Sequence, residues 1–325
     1  MINRQTIDVS EDEILLLDRD LLKILLKDRT TQKNIIWASD DYLVFGECYS
    51  KAHEITVESI TGSHVKLIQP RIEKVKAHQE NRTKTRAEVF TPSWVCNEQN
   101  NLVDSKWFGR ENVFNTSNGH SWITKRERIA FPNDQNRSWK QYVDAKRLEI
   151  TCGEAPYIVS RYDTVTGYMI PLMDRIGLLD RKLRVVSENA QDDEEWLKWA
   201  ERAVQSIYGY EFQGDNLLLA RENVLLSYMD YFTNWFKREP QYDDVSNIAL
   251  IVSWNLWQMD GLNYAIPFCG DQPNMQMSFF DIMPEDDAFS YLGLTDPKGQ
   301  ELCKIKDWRA KETIEFRSLV KGTLL

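Results

Sequence analysis

The sequence predicts an α/β fold, and three observations carry that prediction. Residues 147–163, RLEITCGEAPYIVSRYD, run as a strand into a small-residue turn and then restart as a helix. Residues 206–210 form a second strand-like run that ends at Glu211 and leads into a long helical pattern. Residues 248–252 are continuously apolar and read as a strand buried on both faces, as in open parallel sheets that bind ligands at their carboxyl ends.

The elements follow in order. Residues 1–80 combine an acidic amphipathic helix, with Leu21, Leu22, Leu25 and Leu26 on its apolar side, and strand-like runs at 34–37, 42–45 and 64–69. They predict a small N-terminal α+β accessory module. Residues 74–86 are polar and serve as its linker, and the main domain occupies 81–325 with its core starting near Ala87. Thr91 followed by Pro92 makes a helix start, a hydroxyl cap and then proline at the first helical position. Insertions are expected at about 103–140 and 164–190, the first aromatic, basic and without clear periodicity. Helices are predicted over 194–205 and 215–238, the latter with Leu217, Leu218, Val224, Leu225 and Tyr228 on one side. Residues 314–316 and 319–320 are candidates for a late strand pair, and the acidic residues 284–287 for a solvated loop. No internal repeat or low-complexity tract is present.

The turn has chemistry of its own. Gly153 and Ala155 keep it thin, Pro156 suits the first turn of a helix, and backbone N–H groups at such a turn approach a nucleotide-like ligand. A plain strand–helix connection fits the same residues. Upstream, AEVFTPS at 87–93 resembles the "(F/Y)-T-P" segment of adenine-specific DNA methyltransferases. Downstream, IYGYEF at 207–212 and LAREN at 219–223 are similar to the "YGxE…A…N" segment of the modification subunits of restriction systems. All three come in that family's order and span roughly residues 85–260.

The resemblance implies a Rossmann-like S-adenosylmethionine-dependent methyltransferase sheet. In it Phe90, Thr91 and Pro92 match the segment that holds the methionine part of the cofactor. Glu149, Cys152, Gly153 and Ala155 match its "D-P-x-C-G-x-G" turn, and Glu211 the acid that takes the ribose hydroxyls. Ile150 replaces the family's proline and Ala155 its second glycine. Residues 247–258, NIALIVSWNLWQ, look like the strand that ends in the family's "N-P-P-Y" tetrapeptide. Asn255 keeps the first position, while Leu256, Trp257 and Gln258 stand at the two prolines and the aromatic. The resemblance implies that Asn255 and the Leu256 carbonyl orient a flipped target amine and that Trp254 or Trp257 stacks on the base. Gln258 cannot stack as a ring does.

Composition narrows the alternatives. The apolar runs are too short to span a bilayer, and the first residues lack a secretory pattern, so a cytoplasmic protein is expected. The five cysteines form no Cys-x-x-Cys pair, and the four histidines are scattered, so neither a disulfide frame nor a metal site is expected. Net charge is −10, yet residues 65–147 hold sixteen Lys or Arg against nine Asp or Glu, a local +7. That polarity suits phosphate. Arg82, Lys84 and Arg86, then Lys125, Arg126 and Arg128, interleaved with aromatics, are the candidate nucleic-acid contacts. A solvated helix face beside core tryptophans accounts for the same pattern.

Two functional expectations follow. One is a DNA adenine methyltransferase of a restriction-modification or mobile-element system. The other is a methyltransferase-like subunit without chemistry, binding nucleic acid or a partner in a defence or counter-defence assembly. Methylation of RNA or of a protein glutamine is a further reading, because each offers a planar amide or amine. Target recognition would come from the insertions, the first 80 residues or a protein partner.

Overall fold

Asp18 caps a helix by accepting the Asp20 N–H at 2.7 Å, and α1 (Arg19–Leu26) follows with Leu21, Leu22, Leu25 and Leu26 buried. The computed structural model describes residues 14, 15, 17–64, 66–74, 91–134, 136–269 and 301–321. After α1 the chain is mostly irregular. Residues 34 and 36 make only isolated bridges, residues Leu43–Phe45 form a 3₁₀ turn, and Gly62–His64 another, so none of the three expected strands forms. A one-turn helix, α2 (Val57–Ile60), is closed by the reciprocal bonds of Thr56 and Ser59.

Helix α3 (Ser93–Phe108) starts directly after Thr91 and Pro92 and ends at Gly109, whose φ of 71° lies in the left-handed region. An antiparallel hairpin, β1 (Asn115–Asn118) and β2 (Ser121–Thr124), follows it. Short α4 (Trp139–Asp144) leads to β3 (Arg147–Glu149). The expected helix at Pro156 is absent: residues 153–158 are turns, and the next helix is α5 (Leu178–Asn189). Asp192 caps α6 (Asp193–Gln205) through the Glu195 N–H at 2.8 Å. Then come β4 (Ile207–Glu211), the long α7 (Gly214–Phe236), α8 (Tyr242–Asn255) and β5 (Leu256–Gln258). Strands β6 (Lys304–Asp307) and β7 (Glu312–Glu315) pair antiparallel, and α9 (Phe316–Lys321) closes the described chain, so the late pair is 304–315 rather than 314–320.

The organising sheet is β3-β4-β5, all parallel, with β4 central. Its register sorts the side chains into two faces. Glu149, Ile207, Gly209, Glu211, Leu256 and Gln258 share one, and Leu148, Tyr208, Tyr210 and Trp257 the other. The first face joins the main apolar cluster with α5, α6, α7 and α8. The second packs on the β6–β7 hairpin through Ile305, Ile314 and Phe316. This is a mixed α/β arrangement with a parallel sheet.

Residues 248–252 are helical within α8, not a strand. The helix is wedged against α1, α6 and α7, which bury Ile248, Ala249, Ile251 and Val252, and the half-exposed Leu250 and Trp254 are apolar, so no polar stripe marks the helical period there. The same cluster holds Leu22, Leu25 and Trp37 together with Val224, Ile251 and Leu256. The described part of the first 80 residues therefore shares the main core, while the expected boundary near 80 lies outside the described residues. Among the described residues no helix is long and apolar enough to cross a membrane.

Candidate functional site

Beyond β3 the backbone turns sharply through Thr151, Gly153 and Ala155, whose φ values are 46°, 52° and 63°. The left-handed region is open to glycine and costs other residues about 1 kcal/mol or more. Ala155 is fully buried in that conformation, so the turn keeps the backbone demand at both positions where the resemblance aligns glycine. The turn packs down onto β4 because position 209 has no side chain. A Cβ on Gly209 would lie 2.8 Å from Leu256 Cδ2 and 3.2 Å from Cys152 Sγ.

Two buried acids take the turn's N–H groups. Gly153 N donates to Glu211 Oε2 at 2.9 Å, and Gln213 N to Glu211 Oε1 at 3.1 Å. Glu149 accepts from Ile158 N at 3.2 Å and from Tyr157 N at 3.4 Å. The sheet register brings Glu149 and Glu211 onto one face at its carboxyl end, where ligands of open parallel sheets gather. Burial pushes the Glu149 carboxyl well above the usual range; the two N–H donors offset this in part and the Glu211 charge adds to it. Burial, then Glu149 and Glu211, likewise pushes the Cys152 thiol far up, which suits packing and not nucleophilic chemistry.

The carboxyl end of β5 is closed by the N-terminal part of the chain. Gln258 Oε1 accepts from Ile36 N at 2.9 Å, and Gln258 Nε2 donates to Ile36 O and Phe212 O, both at 2.8 Å. Its side-chain amide thus stands in for a neighbouring strand. Gly214 N bonds Trp37 O at 3.1 Å beside it. Gln258, expected at the base-stacking position, is a clamp.

Asn255 is expected at the carboxyl end of a strand, beside the cofactor turn. It stands instead between α8 and β5, at the amino end of the sheet. Asn255 Nδ2 donates to Val204 O at 3.0 Å and Ile207 O at 2.8 Å, and Trp308 Nε1 donates to Asn255 Oδ1 at 2.7 Å. Ile207 and Glu211 bound β4, so four residues at about 3.3 Å each place the two ends roughly 13 Å apart. The Leu256 carbonyl is taken by Arg221 Nε and Nη2 at 2.9 and 2.7 Å. Trp257 is buried against Tyr210 and Phe316, and Lys306 lies over the Trp254 ring. All four residues of the expected tetrapeptide make contacts within the fold.

The remaining expected contacts divide. Thr91 and Pro92 stand at the start of α3, but the carboxylate that meets this helix start belongs to Asp163, which accepts from Ser93 N at 2.9 Å. Burial alone would raise the Asp163 carboxyl, and the donors from Ser93 and Thr166 more than offset it, holding it below its ordinary value. Arg126 pairs with Asp174 at 2.7 Å, Arg128 donates to Asn189 at 2.6 Å, and Lys125 is half-buried. Phe90, Arg82, Lys84 and Arg86 lie outside the described residues. Among the described residues no group of three or more His, Cys, Asp or Glu could hold a metal ion.

Two acids of this region are not singled out by sequence reasoning. Glu154 accepts from Arg71 N and from Tyr162 Oη, both at 2.7 Å, and so ties the turn to the N-terminal part. Asp163 is legible in hindsight, because D-T-V-T-G is an Asx-turn pattern that Thr166 completes.

The loop from the turn to α5 is held by Asp180, fully buried, whose Oδ2 accepts from Ser160 N at 2.8 Å and Ser160 Oγ at 3.1 Å. Burial raises its carboxyl to about 6 from 3.8, against the pull of Arg175 and these donors. A raised carboxyl binds its proton more tightly when folded, so its contribution to stability is full below the unfolded value and is lost as pH rises through about 6. At 1.36 kcal/mol per unit this amounts to about 3 kcal/mol between pH 4 and pH 7. Urea titrations across that range should show Asp180→Asn with a flatter pH dependence than the unmutated protein; parallel curves would remove the assignment.

Comparison of the chain with protein-family models, with curated proteins and with solved structures finds no match to any of them.

Proposed function

We propose that the chain is a methyltransferase-like, S-adenosylmethionine-binding protein that works on DNA in a restriction-modification or mobile-element system. The observation that carries this reading is the meeting of the Glu149–Ala155 turn with Glu211 on the next strand, through the Gly153 N–H. Glu211 accepts from Gly153 N at Oε2 and from Gln213 N at Oε1, so this acid is anchored where the turn meets the next strand, and a carboxylate is the acceptor a ribose diol requires. The positive φ at Gly153 and Ala155 lends further support, because it is the conformation for which the family's turn uses glycine.

Of the two forms of this reading, the one without chemistry is favoured by a specific observation. Methyl transfer needs an acceptor amine aligned with an already electrophilic methyl group. Asn255 precedes β5 with its amide engaged by Val204 and Ile207, and the Leu256 carbonyl is taken by Arg221. The chain then contributes cofactor and nucleic-acid binding, and a protein partner in a defence or counter-defence assembly supplies the acceptor site.

Calorimetry with S-adenosylmethionine tests the cofactor half. Glu211→Ala should weaken binding by about 1–3 kcal/mol, the range for a lost charged hydrogen-bond partner. Glu211→Gln, which retains acceptors for the turn, should fall between. Absence of binding to the unmutated chain at millimolar cofactor removes the methyl-donor reading. Methyl transfer to DNA by the chain alone would instead restore the catalytic form.

A further inference from the structure

Between Glu111 and Glu127 the chain has no acidic residue, although Asp and Glu number 50 in 325. That interval holds the β1–β2 hairpin, which packs along α3. Its register pairs Thr116 with Ile123 and Asn118 with Ser121, so these four side chains share one face. All four are exposed, Ile123 by 63%. On the opposite face Asn115 is buried and Trp122 and Thr124 are half-buried.

The foot of the hairpin is rigid. Asn115 Oδ1 accepts from Asn97 Nδ2 at 3.0 Å and Asn101 Nδ2 at 2.9 Å, and Asn115 Nδ2 donates to Asn97 Oδ1 at 2.7 Å. Trp122 Nε1 donates to Asp174 O at 2.8 Å. At the tip the His120 ring stacks on Trp94, centroids 4.4 Å apart and 18° between planes. Lys125 and Arg126 follow β2 directly, and Lys125 N extends the ladder to Phe114 O at 2.9 Å.

We propose that this hairpin is a base-reading ribbon that enters the major groove of duplex DNA. The inference rests on the nucleic-acid half of the proposed function and names the element that reads sequence. A two-stranded antiparallel ribbon fits the major groove, where amide and hydroxyl groups bond base edges and an apolar group meets the thymine methyl. The outward face supplies that set: the Asn118 amide, the Thr116 hydroxyl, the Ser121 hydroxyl as an acceptor, since it donates to Asn118 O at 2.8 Å, and the Ile123 side chain. Lys125 and Arg126 at the foot meet the flanking phosphates, with phosphate replacing Asp174 as the partner of Arg126. The lack of acids from 112 to 126 leaves nothing on the ribbon to repel the duplex.

The test is selection of binding sites from a randomised duplex library by the full chain, followed by titration of the selected duplex against a scrambled one at two salt concentrations. The unmutated protein should select a short motif. The triple variant Thr116→Ala, Asn118→Ala, Ser121→Ala removes only exposed side chains, so it should keep its circular dichroism. It should lose preference for the motif by roughly tenfold or more per contacted base pair while retaining salt-dependent binding to scrambled duplex. Lys125→Glu with Arg126→Glu should weaken both duplexes alike and reduce the salt slope. Retention of the same motif by the triple variant overturns the ribbon assignment and leaves the nucleic-acid reading standing. Binding of the unmutated chain to no duplex at low salt overturns both, and so does binding through this face to a protein or single-stranded RNA in place of duplex.

Discussion

Asp104→Ala should destabilise the protein by about 3–5 kcal/mol, the cost of leaving a buried charge without its partner. Asp104 and Arg181 are each about 1% exposed, and Arg181 Nη1 meets Asp104 Oδ2 at 2.5 Å. Tyr142 Oη donates to the other Asp104 oxygen at 2.9 Å, and Arg181 Nη2 reaches Asn97 Oδ1 at 2.9 Å. Removing the carboxylate strands a guanidinium and a phenol in the core. It also loosens Asn97, which holds the foot of the β1–β2 hairpin through Asn115, so base reading should weaken with stability. Replacing both partners by apolar residues, Asp104→Leu with Arg181→Met, should cost less than Asp104→Ala alone, because no charge is left unpaired. Urea denaturation of the three variants checks this, and a loss below about 1 kcal/mol for Asp104→Ala would show that water reaches the site.

Gly214→Ala should cost about 3 kcal/mol, at the upper end of what overpacking does. A Cβ there would sit 2.0 Å from Ile36 O and 2.9 Å from Ile36 C. Both are backbone atoms, so no side-chain rotation relieves the clash. The segment around Ile36 must lift, which breaks the bonds from Gln258 to Ile36 and from Gly214 N to Trp37 O. Thermal denaturation reads the stability loss, and cofactor titration reads whether the closed carboxyl end matters for binding. An unchanged melting temperature would mean that α7 does not start against Ile36.

Three of the helices were legible without coordinates. The helices α6 and α7 agree within a few residues with their expected spans, and Leu21, Leu22, Leu25 and Leu26 of α1 are buried as their spacing requires. Strands β3 and β4, with the turn and acid at their carboxyl ends, were legible too, because short apolar runs ending in Gly, Ala and Pro are local signals. Helix α5 was not: Asp180, Arg181, Lys182 and Arg184 fall in a stretch expected as an insertion, yet all four are buried. Their partners are remote in sequence, Asp104 for Arg181 and the Ala145 carbonyl with Ser206 for Lys182.

Strands β3 and β4, the small-residue turn and the helices α1, α6 and α7 were readable from the residues alone, because each depends on residues a few positions apart. Only the tertiary structure decided that residues 248–252 are a helix and that Asn255 belongs to the amino end of the sheet. It alone showed that the N-terminal part shares the core and closes the carboxyl end of β5. The physical reason is common to these cases. An apolar residue, Leu250, on the half-exposed side of α8 hides the polar stripe that distinguishes helix from strand, and a polar side chain's role is set by whichever distant backbone meets it in the core.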